Sequence, residues 1–386
     1  MNRKQRRATG KAKAPATGDA ARDPLEWHAL GIEAFRTGHL DGAAGMIVKA
    51  IATNGAVPSF HYNLAIVRKA QGRLPEAAES YQRAIQLNPD YADAYNNLGN
   101  VWMELGQRDK AQAGFERALQ LRPGNADTHY SLGVLLSESG KSDQAARHFH
   151  LCLECDPDDS RGVRMLLAHL GAGDIPAQTS PAQMQKIYEV RARSWDQEST
   201  YFGHVLVAEA LREHAPRTGL DMLDIGCGTG LVGALVRPLA RRLDGVDLSP
   251  AMLDKARGKS VYDNLEESDL VTFMSAHGNT YDAILAAAAL IHFGDLRALF
   301  HAARRCLREK GLFFFTLFPN EKGDADFAVA ASDRLAQSGC YRHSTGYVER
   351  LAEANAFSVL ELKPVLHERD QDGEPVAGLL GVLQSS

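Results

Sequence analysis

From Pro24 to Asp159 the chain repeats every 34 residues, and four segments beginning at Pro24, Pro58, Ala92 and Ala126 can be laid under one another. The eighth position then reads Gly31, Ala65, Gly99 and Gly133, the twentieth Ala43, Ala77, Ala111 and Ala145, and the twenty-seventh Ala50, Ala84, Ala118 and Cys152. The fourth reads Trp27, His61, Tyr95 and His129, and the seventh Leu30, Leu64, Leu98 and Leu132. Small side chains at fixed intervals are what helices approaching within about 8–10 Å require at their crossing points. The pattern predicts pairs of antiparallel helices stacked into a short solenoid, each pair burying its apolar face on the next. Pro89, Pro123 and Pro157 close the later repeats, whereas the first has Gly55 there and carries Gly42 and Gly45 in its second helix, which weakens that helix.

These columns resemble the tetratricopeptide repeat. The resemblance implies four repeats (24–57, 58–91, 92–125, 126–159), a capping helix over 160–170 and a concave face that grips a protein partner through polar positions such as Asn63, Asn96 and Asn97. Residues 171–181, with two prolines and two glycines, have the composition of a linker.

A different pattern rules the second half. The apolar run Met222, Leu223, Ile225 reads as a buried parallel strand, and Gly226, Gly228 and Gly230 at alternate positions let the backbone turn into a helix near Leu231. Asp247 follows Gly230 by 17 residues, at the end of the next apolar run, where its carboxylate can accept hydrogen bonds from ribose hydroxyls. The spacing G-x-G-x-G is neither the dinucleotide fingerprint nor a phosphate loop ending in Gly-Lys-Ser/Thr. Strands are expected near 220–225, 242–247, 281–286, 311–318, 357–363 and 376–383, with a weaker one near 270–274. Alternating with helices, they make a mostly parallel sheet of seven strands with a cofactor crevice at the carboxyl ends.

Asp224-Ile-Gly-Cys-Gly-Thr-Gly230, Gly245-Val-Asp-Leu-Ser249, Ser268-Asp269-Leu270 and Tyr281-Asp-Ala-Ile-Leu285 occur in an order that resembles class I S-adenosylmethionine-dependent methyltransferases over residues 186–384. The resemblance implies a Rossmann-like domain over 182–386 with S-adenosylmethionine held by Asp224, Gly226, Cys227, Gly228, Gly230, Asp247 and Leu248, and with Asp269 and Leu270 at the adenine. Residues 182–214 resemble a helical lid whose aromatic side chains, Tyr188 and Trp195 with Tyr201 and His204, cover the cofactor; packing beneath a helix is the plainer reading.

On the acceptor side the candidates are His292, His343 and Tyr347. His292 follows the fourth strand, where it either contacts the acceptor or is a hydrogen-bonded loop histidine. His343-Ser344 and Tyr347 resemble a His-Ser-x-x-Tyr stretch of tetratricopeptide-linked methyltransferases, although Ser344 also suits a helix cap and Tyr347 a packing role. Related sequences often carry an acid where Ala288 stands. Arg342 and Arg369 could bind an acidic acceptor but suit solvated surface equally. Methyl transfer from a sulfonium mainly needs positioning, so a missing strong base is compatible with catalysis.

The remaining features set bounds. A chain of 386 residues exceeds one ordinary core, and no segment approaches 18 uninterrupted apolar residues. Five cysteines without metal-ligand spacing predict reduced thiols, a cytoplasmic location and no metal; Cys152-x-x-Cys155 lies on a small-residue column of the repeats. Residues 1–23 carry seven Lys/Arg against two Asp, leaving 36 basic and 46 acidic residues, a net charge of −10, on the rest. That basic tail is expected to be solvated; the acidic body disfavours a nucleic-acid groove, so nucleic acid could meet only the tail, and no membrane partner is expected.

The sequence thus predicts a cytoplasmic methyltransferase whose repeats recruit a protein, carrier-borne or small-molecule acceptor. The alternative is an interaction scaffold whose methyltransferase-like domain has lost catalytic strength, with the alanines around Ala288 as its support.

Overall fold

The computed structural model describes residues 23–197, 200–215, 217–320, 325–329, 339–370 and 372–386. The basic tail, residues 1–22, lies outside them. The chain divides into two compact units, 1–140 and 141–386, and residues 171–181, with their linker composition, lie within the second.

The first unit is a run of helices: α1 (Pro24–Arg36), α2 (Leu40–Thr53), α3 (Pro58–Ala70), α4 (Leu74–Leu87), α5 (Ala92–Glu104), α6 (Arg108–Leu121) and α7 (Ala126–Glu138). Each helix packs on its neighbour in sequence. The small columns lie at the crossings: Ala43, Ala65, Ala77 and Ala111 are fully buried, and a Cβ on Gly99 would sit 2.6 Å from the Phe115 ring. Gly38, Gly72, Gly106 and Gly140, again 34 apart, hold φ between 71 and 81°, the left-handed turn that ends the first helix of each repeat. Despite Gly42 and Gly45, α2 runs unbroken over 14 residues, anchored by buried Ala43, Ile47 and Ala50. Tertiary burial of that face outweighs the helix penalty of the exposed glycines. Asn63 and Asn97 link neighbouring repeats, Asn63 Nδ2 to His28 Nε2 at 2.8 Å and Asn97 Nδ2 to the Tyr62 hydroxyl at 2.9 Å.

The second unit opens with α8 (Ser142–Cys155), α9 (Val163–His169), α10 (Pro181–Arg191), a 3-10 turn at Trp195–Gln197 and α11 (Gly203–His214). Then come β1 (Leu220–Ile225), α12 (Leu231–Val236), β2 (Ala240–Asp247), α13 (Pro250–Lys259), β3 (Asn264–Glu267), α14 (Leu270–Ala276), β4 (Tyr281–Ala286), α15 (Arg297–Cys306) and β5 (Leu307–Pro319). The chain ends with β6 (Phe327–Val329), β7 (Tyr341–His343), α16 (Thr345–Ala354), β8 (Phe357–Arg369) and β9 (Pro375–Ser385). Cys152 is buried in α8 and Cys155 is exposed at its end.

The sheet runs β3-β2-β1-β4-β5, all parallel; β9 joins β5 antiparallel and β8 joins β9, while the short β7 and β6 extend the far end of β5. Seven strands form the body expected from the sequence, and the described residues add two. The weak strand expected at 270–274 is helical: Asp269 caps α14 by accepting the Thr272 N–H at 2.9 Å, and the strand falls at 264–267 instead.

Successive strand residues alternate between two apolar layers, as a pleat demands. Leu223, Ile284, Phe313 and Phe315 pack with Phe300 and Leu299 on one face; Met222, Leu285 and Phe314 pack with Val207, Leu211 and Val232 on the other. Strands covered on both faces have no polar side, which is why β1 is buried throughout. Strand order reverses between β1 and β4, which opens a crevice at their carboxyl ends. No described helix is long and apolar enough to cross a membrane.

Candidate functional site

One cavity lies in that crevice, walled by the loop after β1, the end of β2, the loop after β4 and the helical segment before β1. Gly226, Gly228 and Gly230 take φ of 65, 54 and 87°, a region costly to any residue with a Cβ. A Cβ on Gly226 would lie 2.6 Å from that of Ala289, so the loops after β1 and β4 touch through it. A Cβ on Gly228 would meet nothing within 4 Å; there the backbone opens on the cavity.

Asp247 ends β2 with its carboxylate accepting the Gly228 N–H at 2.9 Å and the Ser249 N–H at 2.8 Å. Burial raises its pKa against these hydrogen bonds, which favour the charged form. Asp224 lies deeper, its Oδ2 accepting the Tyr262 hydroxyl at 2.6 Å and its Oδ1 buried without a partner. Burial pushes the Asp224 pKa up to about 7, the Tyr262 hydrogen bond opposing and the Asp247 charge adding to it. Tyr262 is the keystone: a Cβ on Gly230, Gly233 or Gly245 would fall 3.0, 2.5 or 3.0 Å from its ring or hydroxyl. Burial likewise raises the Cys227 thiol, which stays a small neutral contact.

The helical segment supplies an aromatic wall. Tyr188 packs edge-on to Trp195 (6.0 Å) and His292 (5.5 Å), and Trp195 lies 5.7 Å from Tyr201, which stacks on His204 at 5.3 Å. All five line the cavity. Tyr188 Oη lies 2.6 Å from His292 Nε2, and His292 Nδ1 lies 3.1 Å from the Gly339 carbonyl. Since a carbonyl only accepts, Nδ1 carries the hydrogen and Nε2 accepts from the phenol. Burial lowers the His292 pKa to about 4 despite the Gly339 hydrogen bond, so the ring is neutral, while burial raises Tyr188. The wall is pinned from outside: Thr229 donates to Asp196 Oδ1, and Lys259 Nζ lies 2.8 Å from Asp196 Oδ2. Residues 177–179, expected as linker, pair with the loop after β4, Thr179 N donating to the His292 carbonyl at 2.9 Å and Gly294 N to the Ala177 carbonyl at 2.8 Å.

Of the residues singled out by sequence, Gly226, Cys227, Gly228, Asp247, Leu248, Leu270, Tyr188, Trp195 and His292 line the cavity. Asp224 and Gly230 support it from beneath. Asp269 does not line it and caps α14 through Oδ1. His343 and Tyr347 are also away from it. His343 is fully buried, its Nε2 donating to the carbonyls of Phe293 (2.8 Å) and Gly294 (3.1 Å), and Tyr347 Oη accepts the Leu296 N–H at 3.0 Å. The pair braces the chain after β4, and burial holds His343 at a pKa of about 4. Ser344 caps α16 by accepting the Tyr347 N–H at 3.2 Å. Arg342 and Arg369 do not line the cavity; each donates to a nearby carbonyl, of Pro319 at 3.4 Å and of Gly373 at 2.9 Å. Among the described residues one group could bring metal-ligand atoms within 4.8 Å, Glu213, His214 and Glu361, and none of the three lines the cavity.

Sequence reading missed Tyr262, Met184, Met252 and the Asp196–Lys259 pin. Only Tyr262 left a signal: three glycines on separate elements, at 230, 233 and 245, imply one bulky side chain between them.

Comparison with known proteins agrees with both units. The family described as a methyltransferase domain matches residues 223–315, and tetratricopeptide repeat families match 67–106, 92–125 and 109–170. The biotin biosynthesis bifunctional protein BioHC of Saccharophagus degradans is 27% identical over 213 residues, 52% of this chain and 37% of that protein. The ubiquinone biosynthesis O-methyltransferase of Paraburkholderia xenovorans is 28% identical over 41% of this chain and 71% of its own length. Its counterpart from Thiobacillus denitrificans is 31% identical over 36% of this chain and 65% of its own. The chain therefore joins tetratricopeptide repeats to a methyltransferase domain of the S-adenosylmethionine-dependent kind.

Proposed function

We propose that this protein transfers a methyl group from S-adenosylmethionine to an acceptor entering between the aromatic wall and the loop after β4, with the repeats recruiting a protein or a protein-borne acceptor. The observation that carries this reading is the meeting, in one cavity, of the left-handed glycine loop, the half-buried Asp247 carboxylate and the aromatic wall. The residues fit the cofactor. Gly228 leaves backbone open to a ligand, Asp247 can accept from ribose hydroxyls, and Cys227, Leu248, Met252 and Leu270 offer apolar contacts. Asp269 caps α14 and does not line the cavity, so the adenine contact falls to Leu270 beside it.

When bound, the cofactor supplies a sulfonium methyl that needs no further activation. Tyr188, Trp195 and Tyr201 exclude water and hold the acceptor in line. His292 fixes the Tyr188 hydrogen through its neutral Nε2, leaving the phenol oxygen's lone pairs to receive a hydrogen bond from a protic acceptor. Relatives named O-methyltransferases favour oxygen as the acceptor atom. Reduced cysteines agree with a cytoplasmic setting.

Calorimetric titration with S-adenosylhomocysteine tests the donor half, and absence of binding at millimolar ligand would sink it. Incubating a cell extract with methyl-labelled cofactor and the protein tests the rest. Binding without transfer of label to any component would favour the scaffold reading instead.

A further inference from the structure

β8 is the edge of the sheet, and from Ser358 to Arg369 every side chain is exposed or half-buried except that of His367, which is fully buried. A bulge turns it inward: Leu366 faces Ala377 and Glu368 faces Val376, so β8 spends one more residue than β9. Gly378 leaves it room, since a Cβ there would lie 2.6 Å from that of His367.

Inside, His367 meets two separate walls of the cavity. Its Nε2 lies 3.1 Å from the hydroxyl of Thr316 on β5, itself fully buried, and that hydroxyl accepts the Ala288 N–H at 2.9 Å. Ala288 holds a left-handed backbone, φ 59°, a conformation that needs an external hold in a residue with a Cβ. On the other side the His367 carbonyl accepts the Phe202 N–H at 2.9 Å, the Arg369 N–H reaches the Thr200 carbonyl at 2.9 Å, and the imidazole sits edge-on to Tyr201 at 5.4 Å. Tyr201 and Ala288 both line the cavity.

The bridge is complete when the Thr316 hydroxyl, which accepts the Ala288 N–H, donates its own hydrogen to an unprotonated His367 Nε2; the ring hydrogen is then on Nδ1, the nitrogen 3.9 Å from the Glu368 carboxylate.

We propose that His367 is a positioning residue: through its carbonyl it holds the aromatic wall, through Thr316 it holds Ala288, and it thereby fixes the width of the acceptor end. The functional part of this rests on the cavity being the methyl-transfer site; the coupling of the two walls does not.

Hydrogen exchange on the full chain tests the coupling. Thr316→Val keeps the volume and removes the hydroxyl, and Thr316→Ser keeps the hydroxyl. With Thr316→Val, exchange should rise about tenfold both at 287–289 and, at a distance, at 200–204, while Thr316→Ser stays near wild type. A rise confined to 287–289, or equal effects of Val and Ser, overturns the proposal. If Thr316→Val fails to fold, nitrogen-resolved imidazole spectra of the wild type decide: a neutral His367 with its hydrogen on Nδ1 at pH 7 supports the bridge, and a hydrogen on Nε2 or a charged ring overturns it. S-adenosylhomocysteine titration of the same wild-type sample is the separate check on the methyl-transfer reading, and its failure leaves the exchange result standing.

Discussion

Asp247 and Gly228 are joined by a 2.9 Å hydrogen bond from the glycine amide to the carboxylate, so the residue expected to grip the ribose also fixes the glycine loop expected to hold the cofactor. Asp247→Ala should therefore lose more than one contact. With two hydrogen bonds to a charged group at about 1.5–3 kcal/mol each at stake, S-adenosylhomocysteine affinity should fall at least about a hundredfold, as calorimetry would read it. Retention of wild-type affinity would refute the assignment.

Gly226→Ala and Gly38→Ala separate strain from collision. Both positions are left-handed, but only Gly226 faces an atom, the Ala289 Cβ at 2.6 Å, while a Cβ on Gly38 would meet nothing within 4 Å. Gly38→Ala should cost about 1–2 kcal/mol from backbone alone, and Gly226→Ala clearly more, in urea unfolding. Equal losses would show that the loops after β1 and β4 yield freely.

Asp224 predicts a pH effect. Its pKa is raised by folding from the ordinary carboxylate range to about 7, so the native state binds this proton more tightly than the unfolded one. Its stabilising contribution is complete below about pH 4 and is lost as pH rises towards 7. Asp224→Asn, which cannot ionise, should gain on wild type by a few kcal/mol between those limits. A constant difference in melting temperature from pH 4.5 to 7.5 would exclude the shift.

The buried histidines work in the opposite sense. His292, His343 and His367 have pKa values lowered to about 4, so the stability they carry is present above their unfolded value near 6.5 and is lost as pH falls towards 4. His343→Asn should flatten the acid side of the stability curve; an unchanged slope between pH 6.5 and 4.5 would contradict this.

The pin on the aromatic wall should govern ligand exchange. Asp196 meets Thr229 and Lys259 at a partly exposed site, where such pairs contribute about 0.2–1 kcal/mol. Asp196→Ala should speed S-adenosylhomocysteine release by about two- to fivefold, followed through Trp195 fluorescence in stopped flow. No change in the release rate would mean that the wall does not open at that point.

What the sequence made legible was whatever recurs or forbids a side chain. The 34-residue columns marked where the paired helices of a repeat approach, because a Cβ on Gly31 or Gly99 would strike Ile47 or Phe115, and Gly226, Gly228 and Asp247 marked the cavity because a tight loop beside an acid has few other uses. Residues 270–274 read as a weak strand, since Leu270-Val-Thr-Phe is apolar and partly β-branched, and only the capping carboxylate of Asp269 reveals the helix. His343 and Tyr347 look like site residues in one dimension, yet their partners, the carbonyls of Phe293 and Gly294 and the amide of Leu296, lie some fifty residues earlier in the chain. Tyr262 and His367 were invisible for the same reason: the gaps they fill are made by glycines on other elements.

The stretch 223–315 holds the glycine loop and Asp247, whereas Tyr188, Trp195, Tyr201, Thr316 and His367 all fall outside it. The aromatic wall is thus written outside the matched stretch, while the loop after β4 that faces it, with Ala288 and His292, is written inside it. A fragment trimmed to the matched stretch would keep the glycine loop and lose one whole side of the cavity.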